Sequence, residues 1–226
     1  MCSRYNLTTT LEAVRNYFGA WNGEPFPPRY NIAPTQPALI VRLDHNHQRE
    51  LVLVRWGLIP SWVKDPARLS LMINARAESA AEKASFRGAM RHRRCLIPAN
   101  GFYEWTGKAS ARQPHLIRRA DSELLAFAGL WESWLGADGS EIDTMAILTV
   151  SANEKLSPLH DRMPAILLPE HFDTWLDTRA FKAEMAAEML RPAPDDLLEH
   201  ITVDPRLNNA RNEGPDLIRP YSDRLL

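Results

Sequence analysis

The chain begins MCSRY, and Cys2 is one of only two cysteines in 226 residues. A small residue behind the initiator is expected to permit methionine removal, leaving Cys2 first with a thiol and a free α-amine on adjacent carbons. Two reactions suit that pair. The thiol can attack an amide while its own α-amine serves as base. Alternatively the amine condenses with an aldehyde to give an imine, and the thiol adds to the imine carbon to close a five-membered thiazolidine. An α-amine has a reference pKa of about 7.7–8.0 against ~10.4 for lysine, so part of it is neutral and nucleophilic near pH 7. Cys95 can do neither as a pair, because its nitrogen is an amide. The plain alternative is that Cys2 has no role at all.

Three further polar residues stand where burial is costly. Asn74 lies in LMINARAES, Glu104 in the aromatic stretch GFYEWTG, and His160 in SPLHDRMP. A carboxylate in an apolar strand is desolvated and its pKa rises, which suits Glu104 to proton transfer near neutrality. Taken singly, each has a structural reading: a turn for Asn74, an arginine partner for Glu104, a satisfied core position for His160.

The elements that must position these residues are legible in part. TTTLEAVRNYF predicts a helix with a Thr9–Glu12 capping box. PFPPRYNIAPTQP is too rich in proline for helix or central strand and reads as an ordered loop. ALIVRL and LVLVRWGL predict two strands joined by DHNHQRE, whose HNH letters read as a polar turn rather than a metal or nuclease motif. A helix is expected from near Glu78 through RHRR, then two short strands with a bend in CLIPANGFYEW. QPHLIRR, LLAFAGLWESW and TMAILTV add strands. A turn and short helix in SANEKLSPLHDRMP, helices in PEHFDTWLD and FKAEMAAEML, and a last strand in HITVDP follow. The fold class is α+β, one domain over 1–226, with a largely antiparallel sheet.

Composition narrows the function classes. Hydrophobic content of 45% and charged content of 24% are those of a globular protein. No apolar run approaches the ~18 residues of a membrane span, and no signal pattern leads the chain, so a cytoplasmic protein is expected, nucleoid-associated if bacterial. Two cysteines without a CxxC pair argue against a disulfide framework or zinc site, and no metal or cofactor is expected. The net charge of −1 conceals an asymmetry: residues 1–120 hold 18 Lys and Arg against 8 Asp and Glu, residues 121–226 hold 9 against 20. Either the first half meets an anionic partner or the halves interleave and pair. RGAMRHRRC concentrates Arg87, Arg91, Arg93 and Arg94, with Arg76 upstream, as a phosphate backbone or a solvated helix face would require. Trp56 is assigned to the core. Trp62, after a Pro–Ser turn, either packs in the core as well or presents its ring to bases, flat or as a wedge.

MCSRY, RYNIAPTQ, RWGLIPSWVKD, INARAES, CLIPANGFYEW, SANEKLSPLHDRMPAIL and RNEGPDLI together resemble, in order, the motifs of the SOS-response-associated peptidase (SRAP) family, from residue 2 to about residue 220. The resemblance implies a distorted antiparallel β-barrel core and covalent capture of abasic sites in single-stranded DNA. Cys2 matches the family's N-terminal nucleophile, and Asn74, Glu104 and His160 its supporting polar residues. Arg4, Arg76 and Arg162 match positions used on DNA phosphates, and Pro34 is expected along the same groove. Ser3 departs from the family's usual Gly. The roles that follow are Glu104 as acid and base for imine formation, His160 as proton donor to the sugar ring oxygen, and Asn74 as orienting group. Repair chemistry of a lyase-like Schiff-base kind is expected from a monomer. The rivals are an N-terminal-nucleophile peptidase or amidohydrolase using the same Cys2, and a noncovalent binder of single-stranded DNA. An aldehyde is trapped stably by this pair, whereas an amide turns over.

Overall fold

A computed structural model describes residues 2–108 and 112–221; the expected removal of Met1 lies outside them. Strand β1 (Tyr5–Leu7) leads into helix α1 (Leu11–Phe18). The cap of α1 is Thr10, whose hydroxyl accepts from the Ala13 N–H at 3.4 Å. The expected Thr9 capping box does not form, because Thr9 is committed elsewhere: its Oγ1 accepts from Asn100 Nδ2 at 2.8 Å. Strand β2 (Arg29–Ile32) falls inside the stretch expected to be loop. It is an edge strand, where flanking prolines cost no ladder bond.

Strands β3 (Pro37–Leu43) and β4 (Arg49–Trp56) form the expected pair. The turn between them is closed by Asp44 Oδ1, which accepts from the N–H groups of Asn46 and Gln48. Among the described residues no group of three or more His, Cys, Asp or Glu could hold a metal ion. The helix expected from Glu78 onward is broken. Asn74–Arg76 is strand β5, Ala77–Ala80 is helix α2, and Arg87–His92 is helix α3. The interruption carries Phe86 into the core, where it is 7% exposed.

Strands β6 (Arg94–Ala99) and β7 (Gly101–Thr106) bend at Asn100, whose Oδ1 accepts from the Thr8 and Thr9 N–H groups. A Cβ at Gly101 would stand 2.5 Å from the Ile117 carbonyl, so glycine permits the close approach to the next strand. The remainder is β8 (Gln113–Arg119), β9 (Leu125–Leu135), β10 (Glu141–Ser151), β11 (Arg162–Pro164), α4 (Phe172–Leu176), α5 (Ala183–Ala187) and β12 (Leu198–Thr202). The segment between β10 and β11 is turn, without the short helix expected there.

Strands β4, β3, β6, β9 and β10 close into a five-stranded barrel: four pairings are antiparallel, and the β4–β10 pairing that completes the ring is parallel. The second sheet, in the order β12-β8-β7-β1-β2, is antiparallel throughout. Its inner face packs on the barrel: Tyr5 meets Trp56 edge-on at 5.3 Å, and Phe102 meets Phe127 at 5.8 Å. Full burial of a Phe-sized side chain contributes roughly 1.5–3 kcal/mol, so this aromatic layer fixes the sheet on the barrel. On its outer face Tyr103 and Leu116 form a small cluster with Val203, Leu207 and Leu217.

The basic and acidic halves interleave. Arg29–Glu213, Arg42–Asp143, Arg49–Asp173, Arg93–Glu132 and Arg118–Glu199 all pair across the division. The arginine run also splits. Arg94 is buried and donates to the carbonyls of Met90, Asp177 and Phe181 as well as Trp175, closing the ends of α3 and α4. Burial pulls its pKa down to about 10. It is a structural arginine.

Candidate active site

Four segments bring the sequence-predicted residues together. The N-terminal stretch runs into β1, which is hydrogen-bonded to β7 through the Arg4 carbonyl and the Tyr103 N–H at 3.0 Å. Glu104, next along β7, therefore stands opposite the stretch that begins at Cys2. Strand β10 supplies the other side. It pairs in parallel with β5, matching Ile147 to Asn74, and antiparallel with β11, matching Ser151 to Arg162. His160 closes the turn between them.

Cys2 is completely buried, and its Sγ–H points weakly at the Arg4 carbonyl at 3.6 Å. Asn74 Nδ2 donates to the Cys2 carbonyl at 2.8 Å. Among the described residues the buried Asn74 Oδ1 has no hydrogen-bond partner, leaving an acceptor beside Cys2. Glu104 is 6% exposed. Burial raises its carboxyl from 4.5 to about 7, with the nearby Asp161 charge pushing the same way. Burial also pushes the Cys2 thiol up, and the Glu104 charge adds to that effect. The thiol is thus held protonated, next to a carboxyl that exchanges its proton near neutrality.

His160 is half-buried, and burial lowers its imidazole from the ordinary value, against the opposing pull of Asp161. Its Nδ1 accepts the Arg162 backbone N–H at 2.9 Å and lies 2.7 Å from Asp161 Oδ1. The backbone donor calls for a lone pair on Nδ1 and the carboxylate for a proton there, so Nδ1 has a partner in either protonation state and Nε2–H is the donor that the neutral ring bonded to Arg162 and the doubly protonated ring share. Asp161 becomes a partner for Nδ1–H only when the ring is doubly protonated.

The expected DNA-facing residues are more dispersed. Arg4 leaves the outer side of the second sheet, its guanidinium 5.7 Å from the Trp105 ring. Arg76 is exposed at the end of β5. Arg162 is clamped, donating to both Glu78 oxygens at 2.6 and 2.8 Å and to the Thr149 carbonyl. Pro34 is half-buried in the turn before β3, next to Thr35 with φ 73. Trp56 is fully buried, as assigned, while Trp62 is 62% exposed. Trp62 borders a groove of about 480 Å³ shared with Arg87, Arg91 and Arg93, and Cys2 is not on its lining. Ser3 is half-buried.

Two participants went unremarked in the sequence. Asp161 acts on both Glu104 and His160, and its signal was adjacency in the letters HDR. Glu78 holds Arg162 from a position two residues beyond Arg76, and nothing local announces a pairing with a residue 84 positions away.

Comparison with known proteins finds relatives along nearly the whole chain. Residues 1–210 match the model of the family described as SOS response associated peptidase (SRAP). A Bacillus subtilis relative, named abasic site processing protein YoqW, is 37% identical over 225 residues, spanning 98% of this chain and all of its own. The chicken (Gallus gallus) abasic site processing protein HMCES is 32% identical, spanning 86% of this chain and 67% of its own. A solved structure of a Bacteroides thetaiotaomicron protein superposes with a TM-score of 0.85 at 25% identity, covering 98% of this chain and 100% of that one.

Proposed function

The chain belongs to the SOS response associated peptidase (SRAP) family, and from that membership we propose that it captures abasic sites in single-stranded DNA through a thiazolidine formed on Cys2. The relatives' names, abasic site processing proteins, support DNA with a missing base as the substrate. The observation that carries the chemistry is the Asn74 amide holding the Cys2 carbonyl at 2.8 Å while the charge of Glu104, a carboxyl poised at about 7, acts on the Cys2 thiol.

The sequence of steps follows from these groups. Loss of Met1 frees the Cys2 α-amine. His160, doubly protonated with Asp161 on its Nδ1–H, gives its Nε2 proton to the ring oxygen of the deoxyribose while the proton of the anomeric hydroxyl passes to solvent, and the ring opens to the aldehyde. The amine nitrogen adds to the aldehyde carbon, and Glu104, protonated, supplies the proton with which the carbinolamine hydroxyl departs as water. Cys2 sulfur then bonds to the imine carbon, and the thiol proton ends on the former imine nitrogen. One water is lost overall. The vacant Asn74 Oδ1 accepts from the amine or a sugar hydroxyl and orients it.

A thiol held protonated by burial suits this order, in which sulfur acts second and on an activated carbon. It does not suit a peptidase that needs thiolate at the first step. Abasic single-stranded DNA, a denaturing gel, and three forms of the protein separate the readings. The free wild-type N-terminus gives a shifted, stable band. Cys2→Ala and a form with one extra N-terminal residue give none, and Cys2→Ser gives only a borohydride-trappable imine. A crosslink from Cys2→Ser as durable as wild type's would refute thiazolidine closure. Turnover of amide substrates without a shifted band would favour the peptidase.

A further inference from the structure

We propose that the cavity bounded by Ser3, Arg4, Trp105, Arg112 and Asn208 is a built phosphate subsite, and that Arg112 is a second cation on the DNA backbone beside Arg4. The proposal rests on the abasic-DNA reading but concerns binding rather than capture.

The cavity measures about 180 Å³, ample for one phosphate group. Among the described residues both of its cations lack a carboxylate partner, whereas several partly buried arginines elsewhere have one. Arg29, Arg42, Arg49, Arg93, Arg118 and Arg162 each meet a carboxylate. Among the described residues neither Arg4 nor Arg112 does. Arg4 Nη1 donates only to neutral acceptors, Asn31 Oδ1 at 2.7 Å and the Leu207 carbonyl at 3.2 Å. Its Nε is buried without a hydrogen-bond partner. Burial lowers its pKa, so the cation is partly desolvated with no anion to offset it. Two arginines bordering one cavity repel each other until an anion lies between them.

The cradle is rigid for a reason independent of charge. Asn31 is fully buried, and its Nδ2 donates to the carbonyls of Leu207, Asn209 and Asn212, which fixes the Oδ1 that holds Arg4. Trp105 Nε1 donates to Asn208 Oδ1 at 2.7 Å, and Asn208 Nδ2 donates to the Arg112 carbonyl at 3.1 Å. One asparagine therefore ties the indole under Arg4 to the backbone that presents Arg112. Ser3 follows Cys2 directly, and consecutive Cα atoms are about 3.8 Å apart. A nucleotide joined to a sugar held on Cys2 reaches this cavity with its phosphate.

The test measures noncovalent affinity for single-stranded DNA across salt, with Arg112→Ala and Arg112→Lys. Oligonucleotides carrying one uncharged methylphosphonate at each position flanking an abasic site complete the set. Each phosphate contact on a single strand contributes about 0.7 to the salt slope. Arg112→Ala is expected to weaken binding severalfold at low salt and to flatten the slope by about that amount, while Arg112→Lys keeps the slope. One methylphosphonate should reproduce the wild-type loss and cost nothing further in Arg112→Ala. An unchanged slope in Arg112→Ala, or a methylphosphonate loss of equal size in both proteins at every position, overturns the subsite. Wild type that binds single strands with these couplings but forms no crosslink leaves the subsite standing and removes the capture reading. Wild type that binds no single strand overturns both.

Discussion

Replacing Glu104 by glutamine should make the protein more stable at alkaline pH and nearly inert as a trap. In the folded chain burial raises the carboxyl from 4.5 to about 7. Below pH 4.5 both folded and unfolded chains hold the proton. Between 4.5 and 7 the folded chain keeps a proton that the unfolded chain has released, so stability falls as pH rises through that window. Above 7 the fold carries an ionised carboxylate that is 6% exposed. The displacement corresponds to something on the order of 3 kcal/mol, an upper figure because a glutamine must still satisfy its own amide. For a chain of this size 1 kcal/mol moves Tm by roughly 2–4 °C.

Thermal melts of wild type and Glu104→Gln from pH 5 to 8.5 read this directly. The two curves should lie within about 3 °C of each other near pH 5, where the unfolded carboxyl has begun to ionise, and separate by up to about 10 °C above pH 7.5, with the variant higher. In the same variant crosslinking should slow by at least ~10²-fold, the usual worth of a positioned acid–base group, while affinity for single-stranded DNA changes less than about twofold. Parallel melting curves would refute the buried carboxyl. Equal losses of rate and affinity would refute its proton-transfer role.

The rate of crosslinking should be bell-shaped in pH, because it needs Glu104 protonated and an α-amine of reference pKa about 7.7–8.0 neutral; with Glu104 at about 7, stopped-time gels should show a maximum near pH 7.4 and about twentyfold less two pH units to either side. A rate that climbs monotonically to pH 9 contradicts this. Trp62→Ala should weaken single-strand binding by about 1–3 kcal/mol, the worth of one stacked base, with Tm unchanged because the ring is 62% exposed. Equal affinities in a titration would return Trp62 to the surface. Glu78→Gln removes the carboxylate that holds both Arg162 nitrogens, so it should tighten DNA binding severalfold at low salt and steepen the salt slope. Weaker binding would mean that Glu78 positions Arg162 instead of competing for it.

The strands were legible because their signal is local. ALIVRL, LVLVRW and TMAILTV each carry a β-branched and apolar run of four or more residues, and all became barrel strands. Residues whose fate depends on distant partners were not. Arg29–Ile32 looks like loop by its prolines yet adds an edge to the second sheet, since β1 offers it a ladder. The helix expected from Glu78 stops at Ala80 and resumes only at Arg87, with Phe86 drawn into the core between them, a choice made by tertiary packing. Arg94 sits in a basic run like its neighbours, and only the carbonyls arriving from α4 turn it inward. At the site, Cys2, Asn74 and Glu104 were legible as types, because a carboxylate among aromatics and a cysteine behind Met1 are unusual. Their convergence was not, for it is built by β1, β5 and β7 meeting across two sheets. The charge asymmetry resolved in part into pairs across the halves, while Arg4 and Arg112 share one cavity with no carboxylate among the described residues that line it.

Mass spectrometry of the purified adduct, after nuclease and protease digestion, bears most directly on the central claim. The peptide that begins at Cys2 should carry the whole modification, at the mass of the abasic sugar fragment less one water, and survive denaturation without reductant. A stable adduct on a chain that still begins with Met1, or one found on a lysine or on Cys95, would contradict the account at its root.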